Sequence, residues 1–189
     1  MIKLHPTPDQ WLPAVLRDFP GFLQDHASCE KKASGMALNI ASHYPNRPEL
    51  LNAMAELAVE ELSHYREVVR LLTRRGLQPG PDAKDPYIHQ LNRLIRRGPE
   101  HFLLDRLLLA AVIERRGNER FGLIADALPA GADKRFYEGI TASEARHWQL
   151  FVRLANSECP DFDSTARLQE LVDAEADIML RQPARAALH

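Results

Sequence analysis

Four glutamates and two histidines recur in a fixed order along the 189-residue chain: Glu30, then Glu61-Leu62-Ser63-His64, then Glu114, then Glu144-Ala145-Arg146-His147. Glu61 follows Glu30 by 31 residues and Glu144 follows Glu114 by 30. A lone glutamate followed by Glu-x-x-His thus occurs twice. On a helix, that three-residue spacing sets carboxylate and imidazole on one face, less than a turn apart. Each glutamate also interrupts an apolar stripe. Steps of three and four reach Phe22, Leu23 and Ala37 around Glu30; Met54, Leu57 and Val68 around Glu61; Leu107, Ala111 and Phe121 around Glu114; Tyr137, Ile140 and Phe151 around Glu144. Such periodicity marks the buried face of an amphipathic helix. Four carboxylates in a core would repel one another, and burying each charge uncompensated costs several kcal/mol. Metal ions compensate most simply.

The donor set narrows the ion. Four carboxylates with two imidazoles suit iron or manganese, and the two cysteines, Cys29 and Cys159, form neither a disulfide scaffold nor a zinc site. Other candidates near the pattern have plainer readings. His26, one turn before Glu30, is expected to be a core histidine or a support for Glu30 rather than a ligand. Cys29 reads as packing, and Trp148 and Phe151 as core. Glu56, Glu60, Glu67 and Glu119 read as solvated. Ser34 and Thr141 have the chemistry to donate hydrogen bonds near a metal.

The elements that must hold these residues are helical. Phe19 to Tyr44 reads as one long helix, ended by His43-Tyr44-Pro45-Asn46. Asn46 with Glu49 resembles a capping box, with Pro48 in the first turn. The next helix runs to about Arg75 and stops at Gly76. The glycine- and proline-rich stretch 76–86 is a loop. A short helix is expected over Tyr87–Arg97, a third long one from about Glu100 to Ala127, and a fourth from Asp133 to about Ser157. A final helix covers Ser164 to Leu180, and a short leading one Thr7 to Asp18. Tight turns join the first pair of long helices and the second pair, and about 24 residues separate the pairs. The expected fold is all-α: a ferritin-like four-helix bundle with one long crossover and extra terminal helices. One Glu from each of two helices and Glu-x-x-His from each of the others is the ligand pattern of a carboxylate-bridged dinuclear centre in such bundles.

Bulk properties agree with a single globular domain over 1–189. Apolar residues make up 45% and charged residues 26%. The longest apolar run, Leu107–Ile113, is far short of the roughly 18 residues a membrane span needs. The amino-terminal residues lack the apolar core of a signal peptide, so the expected location is cytoplasmic. Net charge is −2, yet the cations comprise 19 Arg and 5 Lys, a bias that suits phosphate contacts and equally fits codon usage.

The segments Asp25-His26-Ala27-Ser28-Cys29-Glu30-Lys31-Lys32-Ala33, Glu60-Glu61-Leu62-Ser63-His64, Glu114-Arg115-Arg116-Gly117-Asn118-Glu119-Arg120-Phe121 and Ser143-Glu144-Ala145-Arg146-His147-Trp148 resemble the MiaE-type tRNA hydroxylases. The resemblance extends from about Phe19 to Phe151. It implies a di-iron monooxygenase that hydroxylates the isopentenyl group of 2-methylthio-N6-isopentenyladenosine, next to the anticodon in tRNA. It implies two iron ions on Glu30, Glu61, His64, Glu114, Glu144 and His147, with dioxygen as co-substrate. The implied partners are the tRNA anticodon loop and an electron-donating reductase system, with no membrane and no DNA. The alternative is a ferritin- or rubrerythrin-like ferroxidase or peroxidase, although no cysteine-rich iron domain is present. Between Arg66 and Arg97, eight cations face only Glu67, Asp82 and Asp85, leaving +5. Arg66, Arg70 and Arg74 share a stripe, and Arg75, Arg93, Arg96 and Arg97 extend the patch. It suits tracking of phosphates and equally a solvated helix face.

Overall fold

The computed structural model describes residues 3–189. Among them lie seven helices and no strand: α1 Trp11–Arg17, α2 Phe19–His43, α3 Pro48–Arg74, α4 Pro86–Asn92, α5 Pro99–Ala127, α6 Ala132–Glu158 and α7 Ser164–Leu180. The four long helices fall where periodicity puts them, to within two residues at each end.

Proline begins several of these helices. Pro20, Pro48, Pro86 and Pro99 occupy the first or second helical position of α2, α3, α4 and α5, where the missing N–H costs nothing and the fixed φ is already helical. At α3 this overrides the capping box expected from Asn46. The residue before a proline is held extended, so Arg47 becomes the cap (φ −113°, ψ 87°) and has no side-chain cap bond. Asp85 and Asp163 do cap with their side chains, accepting from Tyr87 and Ile88 N–H and from Ala166 N–H. α3 ends at Gly76, whose φ of +70° allows its N–H to reach Thr73 O and that of Leu77 to reach Leu72 O, a Schellman closure. α4 is shorter than expected. The Arg96 backbone N–H and guanidinium both bind Asp105, which draws residues 93–97 out of a helical course.

The chain groups into two units. One holds residues 13–83 and 184–188, with α2 and α3 as an antiparallel pair joined by a four-residue turn. Phe22, Leu23, Ala37 and Ile40 of α2 and Leu50, Met54, Leu57, Val68 and Leu72 of α3 are buried. The other holds residues 3–12, 84–183 and 189, built on α5 and α6 with α4 and α7. Here α5 is buried continuously from Leu107 to Val112, as a central helix must be.

Candidate metal centre

In the α2–α3 unit, Glu30, Glu61 and His64 come together, with one ligand atom from each lying within 4.8 Å of the others. Glu30 and Glu61 are only 3% and 1% exposed. His64 Nδ1 lies 3.3 Å from Glu61 Oε2 and 3.6 Å from Glu30 Oε2. His26, fully buried, sits with Nε2 2.5 Å from Glu30 Oε1. It is therefore a hydrogen-bond partner that fixes the Glu30 carboxylate, as the sequence reading preferred. Ser34 donates to Ala58 O at 2.8 Å, tying α2 to α3 rather than serving a ligand.

The electrostatics of this triad favour a cation. Burial opposes the charge on Glu30, but the hydrogen bonds and charge of His26, with further bonds from His64 and Glu61, hold its pKa far below the carboxylate range. Burial likewise pulls His64 down, yet its bonds to Glu30 and Glu61 outweigh this and push it up to about 9. Two carboxylates thus stabilise positive charge at the imidazole.

In the α5–α6 unit, Glu114, Glu144 and His147 form a second triad within 4.8 Å. They are 6%, 4% and 2% exposed. His147 Nδ1 lies 3.7 Å from Glu114 Oε2 and 3.8 Å from Glu144 Oε1. Gly117, one turn after Glu114, leaves room for the Glu144 side chain: a Cβ there would stand 3.2 Å from Glu144 Oε2. Its place among bulky neighbours was the one sequence signal of this role. Thr141 donates to Tyr137 O and its carbonyl accepts from Asn118 Nδ2, which joins α5 to α6. Each triad is an oxygen-rich set with one imidazole and no thiolate, the chemistry that hard and borderline divalent metals take. The donor sets fit a metal.

Other candidates sort clearly. Phe151 is core. Trp148 is half-buried rather than core. Glu119 is not a solvated acid; it accepts from Thr7 N–H and Oγ1 and from Arg116. Of the basic residues, Arg66 and Arg70 both face Glu67, Arg75 donates to Leu71 O and Arg96 is bound to Asp105. Arg74, Arg93 and Arg97 are exposed, with no ion pair to a described residue.

The family described as tRNA-(MS[2]IO[6]A)-hydroxylase (MiaE) matches residues 2–189. The chain belongs to this family. A relative from Pseudomonas putida, named tRNA 2-(methylsulfanyl)-N(6)-isopentenyladenosine(37) hydroxylase, is 39% identical over 94% of this chain and 86% of its own length. One of the same name from Salmonella typhimurium is 26% identical over 94% and 83%. A solved structure of protein 43 with aldehyde deformylating oxygenase activity from Synechococcus superposes with a TM-score of 0.92. It is 34% identical and covers 100% of this chain and 96% of that one. The MiaE-family chain is accordingly all-α and ferritin-like. No described helix is long and apolar enough to cross a membrane.

Proposed function

We propose that this MiaE-family protein is a di-iron monooxygenase that hydroxylates the isopentenyl group of 2-methylthio-N6-isopentenyladenosine next to the anticodon of tRNA. The whole-chain match to the family carries the proposal, supported by a Glu–Glu–His triad with buried carboxylates in each unit. Glu30, Glu61, His64, Glu114, Glu144 and His147 would hold the two iron ions. When bound, the iron supplies the redox chemistry that activates dioxygen. In the net reaction one oxygen atom enters a C–H bond of the isopentenyl group. The other leaves as water, using two electrons from a reductase and two protons.

The residues of this chain supply placement. His26 holds the Glu30 carboxylate in one orientation. Gly117 gives Glu144 space. Leu107, Ala110, Ala111 and Phe121 on α5, with Ile140 and Phe151 on α6, surround the second triad's helix faces with apolar side chains and exclude water. A dry pocket protects a reactive oxidant from side reactions. Arg66, Arg70, Arg74, Arg75, Arg93 and Arg97 are proposed to meet tRNA phosphates, whereas Arg96 neutralises Asp105. The single globular domain and the cytoplasmic location belong to the same reading.

Nucleoside analysis of tRNA from cells with and without the gene tests it. Loss of the hydroxylated nucleoside on deletion is expected. An unchanged nucleoside, with no second enzyme responsible, overturns the assignment. Parallel assays of the purified iron-loaded protein with aldehyde, hydrogen peroxide and ferrous iron separate the other activities of the fold.

A further inference from the structure

We propose that a groove along the solvent side of α6 holds a nucleotide of the RNA strand neighbouring the modified adenosine, its base stacked on Trp148 and its phosphate on Arg153. The proposal rests on the tRNA reading above and assigns a surface that reading does not use.

The groove has a volume of about 520 Å³ and is lined by Trp148, Gln149, Val152, Arg153, Asn156 and Ser157. The lining residues recur at helical spacing and form one face of α6. The side chains of Trp148, Gln149 and Arg153 make no hydrogen bond, ion pair or ring contact with any other described residue. A half-buried indole with an idle N–H thus stands beside an unpaired guanidinium and an idle amide. Asn156 Oδ1 accepts from Ser164 Oγ, which leaves its amide nitrogen as a further donor.

Charge decides what fits. Between residues 139 and 157, the exposed charges of α6 are Arg146 and Arg153, both positive, because Glu144 is buried. One aromatic face with donors and cations, and no exposed acid on α6 between residues 139 and 157, matches an unstacked base with its phosphate. Single-stranded RNA is recognised by such stacking on aromatic side chains combined with backbone contacts. An apolar peptide would need a longer hydrophobic strip than Trp148 and Val152 offer.

Position ties the groove to the chemistry. Trp148 directly follows His147 and lies one turn after Glu144, about 6 Å along the axis. A base on Trp148 is thus a neighbour of the face that carries both residues, while the prenylated base turns inward.

The test uses the full iron-loaded chain and a synthetic anticodon stem–loop RNA carrying the isopentenylated adenosine. The chain has two tryptophans; Trp11 is buried, with the Arg120 guanidinium 4.9 Å from its ring centre. RNA should quench the emission of Trp148, and the quench should vanish in Trp148→Phe. Trp148→Ala should weaken RNA binding about ten-fold with its salt dependence unchanged. Arg153→Gln should reduce the salt slope by about one. If the parent binds RNA without quenching, and Trp148→Ala and Arg153→Gln bind as the parent does, the groove is not an RNA site and the tRNA reading stands. If the parent does not bind the RNA at all, the tRNA reading fails and the groove proposal with it. Metal content checks each variant; should Trp148→Ala lose iron, the quench and the exposed Arg153→Gln variant decide.

Discussion

The unit built on α5 and α6 buries two kinds of carboxylate. Asp105 and Glu175 are closed by guanidinium groups: Arg96 and Arg167 reach Asp105 at 2.7 and 2.9 Å. Arg116 holds both oxygens of Glu175 at 2.7–2.8 Å while Tyr87 donates to it at 2.7 Å. Glu114 and Glu144 instead face the His147 imidazole at 3.7 and 3.8 Å, beyond hydrogen-bond length. All four acids are almost fully buried. The first pair carries its cations in the chain and is finished by folding. The second pair lies with His147 in an oxygen-rich set whose chemistry fits a metal ion. The pKa values follow the same division: burial works against the charge of Asp105, but its bonds from Arg96 and Arg167 hold it below the usual range. Burial likewise opposes the Arg116 charge, and Glu175 more than restores it.

The comparison breaks most visibly at Arg116. Arg116→Met leaves Glu175 buried without its cation and should cost about 3–5 kcal/mol, equally with and without metal. Denaturant unfolding of both forms measures this. Glu175→Leu added to that variant should recover much of the loss. A loss that appears only in the iron-loaded form would place Arg116 with the metal ligands instead.

Glu114→Ala should behave oppositely. Metal stabilises the folded state by mass action, about 2.7 kcal/mol at a hundred-fold excess over Kd. The variant should therefore lose iron and melt lower than the loaded parent, while the two metal-free forms melt alike. Glu144→Leu should even raise the metal-free melting temperature, since charge is exchanged for packing. Iron analysis alongside thermal scans gives the answer, and full iron retention in Glu114→Ala would remove it from the ligand set.

A smaller change sharpens the division further. Gly117→Ala adds a methyl group 3.2 Å from Glu144 Oε2, so the carboxylate must shift by a few tenths of an ångström. Metal affinity should fall several-fold. The metal-free protein should gain up to about 1 kcal/mol from helix propensity, so titration and melting are expected to move in opposite directions.

The smallest effect is expected at Asp85, which the His189 imidazole faces at 3.4 Å. Burial raises its pKa, but His189 and the amides of Ile88 and Tyr87 outweigh this and lower it to about 2. A depressed folded-state value stabilises the protein above the ordinary value of 3.8 and loses that contribution as pH falls toward 2. Asp85→Asn should therefore cost about 1 kcal/mol or less near neutrality and nothing near pH 2. A constant difference across that window would mean the carboxylate charge is irrelevant there.

Local patterns carried much of this protein. The 3.6-residue periodicity and the proline and glycine positions determined the four long helices, because a helix is specified by neighbours three and four residues away. Glu30, Glu61, His64, Glu114, Glu144 and His147 stood out for the same reason: a charge inside an apolar stripe is visible without knowing what it faces. What faces it was decided only by the tertiary structure. Glu119 reads as a surface acid until Thr7, 112 residues away, and Arg116 close around it. Glu175 belongs to an amphipathic helix until Arg116, 59 residues earlier, supplies its cation. Arg96 counts toward a basic patch until Asp105 neutralises it and ends α4 early. Trp148 reads as core until the fold leaves one side of α6 to solvent. Each of these depends on a partner brought near by packing, and the energy of a buried charge is set by that partner rather than by its place in the sequence.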